Sequence, residues 1–149
     1  MSNEGIKIIA NNRKAHFNYF LSDFMEAGIE LKGTEIKSLR VTGATINDSY
    51  VVIKNDEADL INMHIKPYDH GNIFNHDPLR TRKLLLHKKE IRFLANKIKT
   101  EGYTVVPTKI YFRKGKAKVE IALAKGKKNY DKRETIKKRD IDRELAKGM

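Results

Sequence analysis

Residues 104–123 read TVVPTKIYFRKGKAKVEIAL, and this stretch decides the fold class. In its second half Ala117, Val119, Ile121 and Leu123 alternate with Lys118, Glu120 and Ala122. A period of two sends successive side chains to opposite faces of a strand, so one face is buried and the other wet. The first half, Thr104 to Arg113, is rich in β-branched and aromatic residues, and Lys114-Gly115 supplies a tight turn. The stretch reads as an antiparallel hairpin.

Upstream, Ile91, Leu94, Ala95 and Ile98 recur at spacings of three and four from His87 onward. Lys88, Lys89, Lys97 and Lys99 lie off that face, and Gly102 closes the helix. Pro67, Gly71, Asn72, Asn75 and Pro78 mark residues 66–82 as a long loop of the functional or mobile kind. Ser49 to Ile53 and Ala58 to Ile65 form a second hairpin around Asn55-Asp56. A short helix starts at Gly33-Thr34-Glu35, with Thr34 as its cap, Ile36 and Leu39 on one face, and Gly43 as its end. Tyr19, Leu21, Phe24, Ile29 and Leu31 read as strand material bent or bulged at Gly28. Residues 6–9 are apolar but short, and a basic segment, Asn12-Arg13-Lys14, follows them.

About six strands with short helices and no βαβ regularity favour a small closed barrel or a sandwich. Our first choice is mainly β with short helices: an OB-like closed antiparallel β-barrel with flanking α-helices. Closure removes exposed edges, and the face of such barrels commonly binds oligonucleotides.

Charge points the same way. The 149 residues carry 31 Lys/Arg against 19 Asp/Glu, a net +12. Residues 124–149, AKGKKNYDKRETIKKRDIDRELAKGM, hold ten of those cations against five acids and few apolar residues. Such a segment cannot build a core and orders only against a partner. We therefore divide the chain into a folded domain, 1–123, and a basic tail, 124–149. Within the tail Asp131 and Glu134 precede Lys137, Lys138 and Arg139, as a helix dipole prefers, so it is expected to be disordered when free and helical when bound. A strongly cationic chain with a cationic tail fits a polyanionic partner, nucleic acid above all.

Other chemistries find little support. With no cysteine, disulfides and thiolate metal sites are excluded, which fits a reducing, cytoplasmic setting. No leader pattern or membrane-length apolar run is present. His64, His70 and His76 stand six apart, which matches no metal-ligand spacing, and read as exposed loop histidines. Glu26 and Glu30 flank Gly28 without a nucleophile nearby, and Gly126-Lys127-Lys128 lacks the glycine frame of a phosphate loop. The enzymatic alternative is a metal-dependent nuclease using Glu26, His64 and His76. Neither a catalytic site nor a cofactor is expected. The cationic run Arg80-x-Arg82-Lys83 ahead of Leu84-Leu85-Leu86 suits phosphate contacts from a rigid platform, and Tyr19, Tyr68, Tyr111 and Tyr130 are candidate base-stacking rings.

Several stretches then carry a resemblance: NRKAHFNYF, FMEAGIELKGTEIKSLR, NDSYVVI, FNHDPLRTRKLLLHKKEI, VPTKIYF and KVEIALAKGKKNYDKRETIKKRD. Over residues 8 to about 145 the chain resembles the SsrA-binding protein family, small protein B. The resemblance implies an OB-like barrel that binds the tRNA-like domain of transfer-messenger RNA. It implies delivery of alanyl-transfer-messenger RNA, in association with elongation factor Tu, to stalled 70S ribosomes for trans-translation. Carried over by motif, Asn12, Tyr19, Glu26, Leu85 and Lys118 are expected to touch that RNA, beside Arg80, Arg82 and Lys83 from the charge argument. Lys125, Lys127, Lys128, Tyr130, Asp131, Lys132 and Arg133 match the tail segment expected to meet the 16S rRNA decoding centre, with the tail entering the empty mRNA channel. Two departures stand out: Phe17 occupies a place where many relatives carry histidine, and the tail, ending at Met149, is short. The other reading of composition alone is a general single-strand binder of OB type.

Binding driven by this charge must weaken with salt. The logarithm of affinity for RNA should fall against the logarithm of salt concentration with a slope of about −0.7 to −0.9 per phosphate neutralised. A flat profile in a filter-binding titration would contradict the electrostatic account.

Overall fold

The chain's alternating runs pair into one antiparallel sheet. The computed structural model describes residues 6–68 and 75–127. In order these form β1 (Ile6–Asn11), α1 (Arg13–Asn18), β2 (Tyr19–Ile29), α2 (Gly33–Val41), β3 (Tyr50–Lys54) and β4 (Glu57–Ile61). There follow β5 (Arg82–Leu85), α3 (Lys88–Glu101), β6 (Thr104–Arg113) and β7 (Lys116–Gly126). The described residues are thus mainly β, with three helices.

The strand order is β1-β6-β3-β4-β5-β2-β7, and β6 also pairs with β7. Six strands therefore make a closed circuit of hydrogen-bonded neighbours, and β1 is added outside it as a seventh. β6 accommodates two strands along one edge: β1 lies along Lys109 to Arg113, while β3 meets it at Val105. Both expected hairpins are present. Their turns, Asn55-Asp56 and Lys114-Gly115, have positive φ at both residues, the backbone twist a two-residue hairpin requires.

Inside the circuit sit Leu60, Met63, Ile65, Leu84, Leu94, Val105, Ile110, Val119, Ile121 and Leu123, all almost wholly buried. α3 contributes Ile91 and Leu94 to the interior, and Gly102 ends it in the left-handed conformation, as its place after the periodic run predicts.

Several local expectations need correction. β7 does not stop at Leu123; Ala124, Lys125 and Gly126 continue it, opposite Leu21, Phe20 and Tyr19. Its outer face is wet only as far as Glu120. Beyond that point Ala122 and Ala124 are buried, the latter in a small cluster with Ala15 of α1 and Val106. That helix was not recognised in Asn12-Arg13-Lys14. Its cap is Asn12, whose Oδ1 accepts from the Ala15 N–H at 2.9 Å. The bulge in β2 falls between Ser22 and Met25, where Asp23 has φ 52°, and not at Gly28. Gly28 is a regular strand residue kept bare for another reason: a Cβ there would lie 3.3 Å from Leu85 Cβ.

Thr34 does not cap α2. The first N–H to need a partner, that of Lys32, donates to Glu35 Oε1 at 2.7 Å, while the Thr34 hydroxyl shares a 2.9 Å hydrogen bond with His76 Nδ1. His76 is not an exposed loop histidine either. It is buried, and its Nε2 donates to the Ile65 carbonyl at 2.8 Å. His64 is exposed; His70 lies outside the described residues.

The largest correction concerns Arg82. It faces inward from β5, wholly buried, with Nε donating to Glu35 Oε2 at 2.6 Å and Nη1 to the Met63 carbonyl at 2.6 Å. Arg80 donates to the same carboxylate, Nη2 to Oε1 at 2.7 Å and Nε to Oε2 at 3.1 Å. Burial opposes the charge on Glu35, but the hydrogen bonds from Arg80, Lys32 and Arg82 outweigh it and hold the carboxyl below its ordinary range. Arg82 has no guanidinium edge left for a phosphate.

Removing one member of a buried pair strands the other, so Glu35→Gln should cost on the order of 3–5 kcal/mol in urea unfolding at neutral pH. The folded state holds the Glu35 pKa below the unfolded value of about 4.3, so this stabilisation is complete above that pH and fades as pH falls through the lower folded value. The acid-side decline of the wild type should therefore be shallower in Glu35→Gln. Equal unfolding midpoints at pH 7 would show the network to be neutral.

Candidate nucleic-acid interface

Register assembles a surface from residues far apart in sequence. Ile8, Tyr111, Lys118, Gly28 and Leu85 follow one another across β1, β6, β7, β2 and β5. Alternation turns all of them away from the core, whose inward residues on the same strands are Ile110, Val119, Ala27 and Leu84. Beside Gly28 and Leu85 the face dips into an open groove of about 660 Å³. Glu26, Lys83, Leu85 and Lys118 line it, with His87 and Lys88 at the start of α3. Bare Gly28 lets the chain pass at the groove floor, and Leu85 stands half exposed above it.

Asp56, Glu57 and Glu90 line the groove as well, so Lys83, Lys88 and Lys118 face four carboxylates, and Glu26 among them is not idle. Glu26 Oε1 accepts from the Tyr111 hydroxyl at 2.6 Å and from Arg113 Nη1 at 2.9 Å; Lys118 Nζ stands 3.9 Å from Oε2. The Tyr111 hydrogen bond, seconded by Arg113 and Lys118 against partial burial, holds the Glu26 carboxyl below its ordinary range. Burial, together with the same hydrogen bond, pushes the Tyr111 phenol up. Glu26 is thus an ionised acceptor with Oε1 committed and Oε2 taking no hydrogen bond from the described residues. A base amino group or a 2′-hydroxyl is the complementary donor.

The other expected residues divide. Asn12 and Tyr19 line a second, smaller depression of about 240 Å³, with Lys14, Asp48, Tyr50 and Thr104 on its walls. Tyr19 opens β2 while Glu26 and Gly28 lie near its other end, up to about 23–30 Å away at ~3.3 Å per residue. Asn12 is almost wholly buried, and its Nδ2 donates to the Pro107 and Ile46 carbonyls at 2.8 and 3.2 Å, so its first duty is to hold α1 against β6. Of the cationic run, Lys83 alone lines the groove, 3.3 Å from Glu57; Arg80 and Arg82 turn to Glu35. Tyr111 does not offer a stacking ring, being 4% exposed, and serves through its hydroxyl.

In the tail segment, Lys125 Nζ stands 4.8 Å from the Tyr103 ring centre and Lys127 Nζ 5.3 Å from that of Phe20. Lys128, Tyr130, Asp131, Lys132 and Arg133 lie outside the described residues. Sequence reasoning missed Arg113 as the partner of Glu26. The two are 87 positions apart, and only the pairing of β2, β7 and β6 brings them together.

A family model described as "SmpB protein" matches residues 9–149. The chain belongs to the SmpB family. Among members, the SsrA-binding protein of Malacoplasma penetrans is 61% identical over 144 residues, covering 97% of this chain and 99% of its own. That of Caldicellulosiruptor bescii is 58% identical over 144 residues, covering 97% and 91%. A solved chain from work presented as "tmRNA-SmpB: a journey to the center of the bacterial ribosome" superimposes with TM-score 0.68. It is 46% identical and covers 81% of this chain and 85% of its own length. Family membership thus agrees with the resemblance carried by the sequence motifs.

Tyr111→Phe deletes the hydroxyl that does most to hold Glu26 ionised. In a carboxyl-resolved NMR titration the Glu26 pKa should climb toward the ordinary value of about 4.3. An unmoved titration would assign the lowering to Arg113 and Lys118 instead.

Proposed function

We propose that this chain is an RNA-binding adaptor and not an enzyme: it binds the tRNA-like domain of transfer-messenger RNA and acts with it on stalled ribosomes in trans-translation. The observation that carries the reading is the meeting of Glu26, Lys83, Leu85 and Lys118 in one groove, in a member of a family whose relatives are named for binding SsrA. Three of the four, Glu26, Leu85 and Lys118, are positions the family resemblance assigns to RNA contact, and they come from β2, β5 and β7.

In this reading the closed circuit of strands is an OB-like barrel. The circuit supports it, since six strands without a free edge inside the ring give a rigid body to carry the RNA. Lys118 and Lys83 neutralise phosphate, Leu85 packs against a ribose or base, and Glu26 accepts from the RNA. Tyr19, at the other depression, supplies a second contact beside the structural Asn12.

The tail extends the same chemistry to the ribosome. Lys125, Lys127 and Lys128 bring positive charge to rRNA at the decoding centre. Tyr130 offers a ring to a base there, and Asp131, Lys132 and Arg133 continue into the mRNA channel as a helix that forms when phosphates offset its lysines. Elongation factor Tu and the cytoplasm complete the setting. Among the described residues no helix is long and apolar enough to cross a membrane.

The experiment separates body from tail. A chain cut after Lys127 keeps all of β7 and should bind transfer-messenger RNA like the full chain, while losing peptide tagging on stalled ribosomes. Loss of RNA affinity in the cut chain, which still folds, would overturn the division of labour. Intact tagging would remove the tail from the mechanism.

A further inference from the structure

The outer face of the sheet does not end at the groove. From Gly28 it continues over β7 and β6 to β1, about 15 Å farther at ~4.8 Å per strand. Its outward positions carry Lys109 and Arg113 on β6, either side of Tyr111, and Lys116 and Lys118 on β7. α1 covers the outer face beyond Glu120, and the Lys114-Gly115 turn bounds it at the other end, so this is one limited patch.

Its acids are already engaged. Glu26 Oε1 holds Tyr111 and Arg113, and Glu120 Oε1 accepts from the Thr108 hydroxyl at 2.6 Å. Lys109 stands over the Tyr111 ring, 5.9 Å from its centre; Glu120 lies opposite it in register, but Lys109 makes no ion pair among the described residues. Lys116 is exposed and likewise has none. Lys14, Lys83 and Lys97 are by contrast already paired, with Asp48, Glu57 and Glu101. A face with cations in excess, where Glu26 is ion-paired from within by Arg113 and Lys118, is complementary to a phosphate backbone.

We infer that Lys109 and Lys116, on the outer face of β6 and β7, form a phosphate-binding extension of the groove, so that the RNA strand leaving Glu26 runs on across this hairpin. Glu26 stands at the junction. Arg113 and Tyr111 keep its Oε1 occupied, which prevents the carboxylate from repelling the backbone while Oε2 remains for a donor. The inference rests on the RNA-binding reading above and adds to it the path of the bound strand.

The test uses the full chain, a transcript of the tRNA-like domain of transfer-messenger RNA, and two double variants of equal charge. Lys109→Gln with Lys116→Gln should weaken binding several-fold and flatten the salt dependence by about 1.4–1.8 units of slope, two phosphates' worth. Lys89→Gln with Lys99→Gln, on α3 and outside the groove lining, should leave the slope within error. Equal effects from both pairs would mean that only total charge matters, and an unchanged slope in the first pair would mean that no backbone crosses the hairpin; either overturns the inference. Wild type failing to bind the transcript would overturn this inference and the RNA-binding reading together, whereas tight wild-type binding with an unaffected first pair overturns this one alone. Matching thermal unfolding of the two pairs guards against misfolding.

Discussion

A single buried carboxylate, Glu35, ties the structure together. It takes hydrogen bonds from Arg80, Arg82 and the Lys32 backbone, and so binds the start of α2 to β5 and to the segment leading into it. Arg82 passes the constraint on, donating to the Met63 and Pro78 carbonyls at the two ends of the long connection between β4 and β5. His76 adds a second fastening, between Thr34 and the Ile65 carbonyl. Charges enclosed this deeply are tolerated only when every partner is in place. They contribute little net stability over an apolar core of the same shape, but they leave few alternatives for where β5 can lie.

The position of β5 is what makes the groove. With β5 fixed against β2, Leu85 comes over Gly28, and the absence of a side chain there lets the two strands present a dip instead of a ridge. The α3 entrance, at His87 and Lys88, forms the far wall. An ion pair in the interior thus shapes the groove on the exterior, through nothing more than the alternation of a four-residue strand: Arg82 and Leu84 in, Lys83 and Leu85 out.

If the groove takes RNA as proposed, Glu26 shows how a negative group can be kept on a surface that meets phosphate. A bare carboxylate there would repel the ligand. Hydrogen bonds from Tyr111 and Arg113 spread that charge over neighbours while fixing its direction. The result is an acceptor that discriminates, since it rewards an amino or hydroxyl donor and penalises anything else placed opposite it. In the proposed reading, general cationic attraction supplies affinity and this one group supplies selectivity.

The hairpin of β6 and β7, the helix closed by Gly102 and the turn at Asn55-Asp56 were legible because each rests on local periodicity or on turn residues with their own φ preferences. Membership of the SmpB family was legible from ordered motifs. Arg80 and Arg82 misled, because a cation next to an apolar strand looks like a surface charge until Glu35, 45 and 47 positions away, is brought beside it. Gly28 signals close approach to Leu85 rather than a bulge, and nothing local marks Arg113, which only strand pairing brings to Glu26. By itself the sequence determined the strands, the cationic excess and the kinship, all of which follow from neighbours along the chain and from composition. Tertiary structure alone decided which charges turn inward and which residues meet across the sheet, since strand register and burial are set by partners that no local pattern encodes.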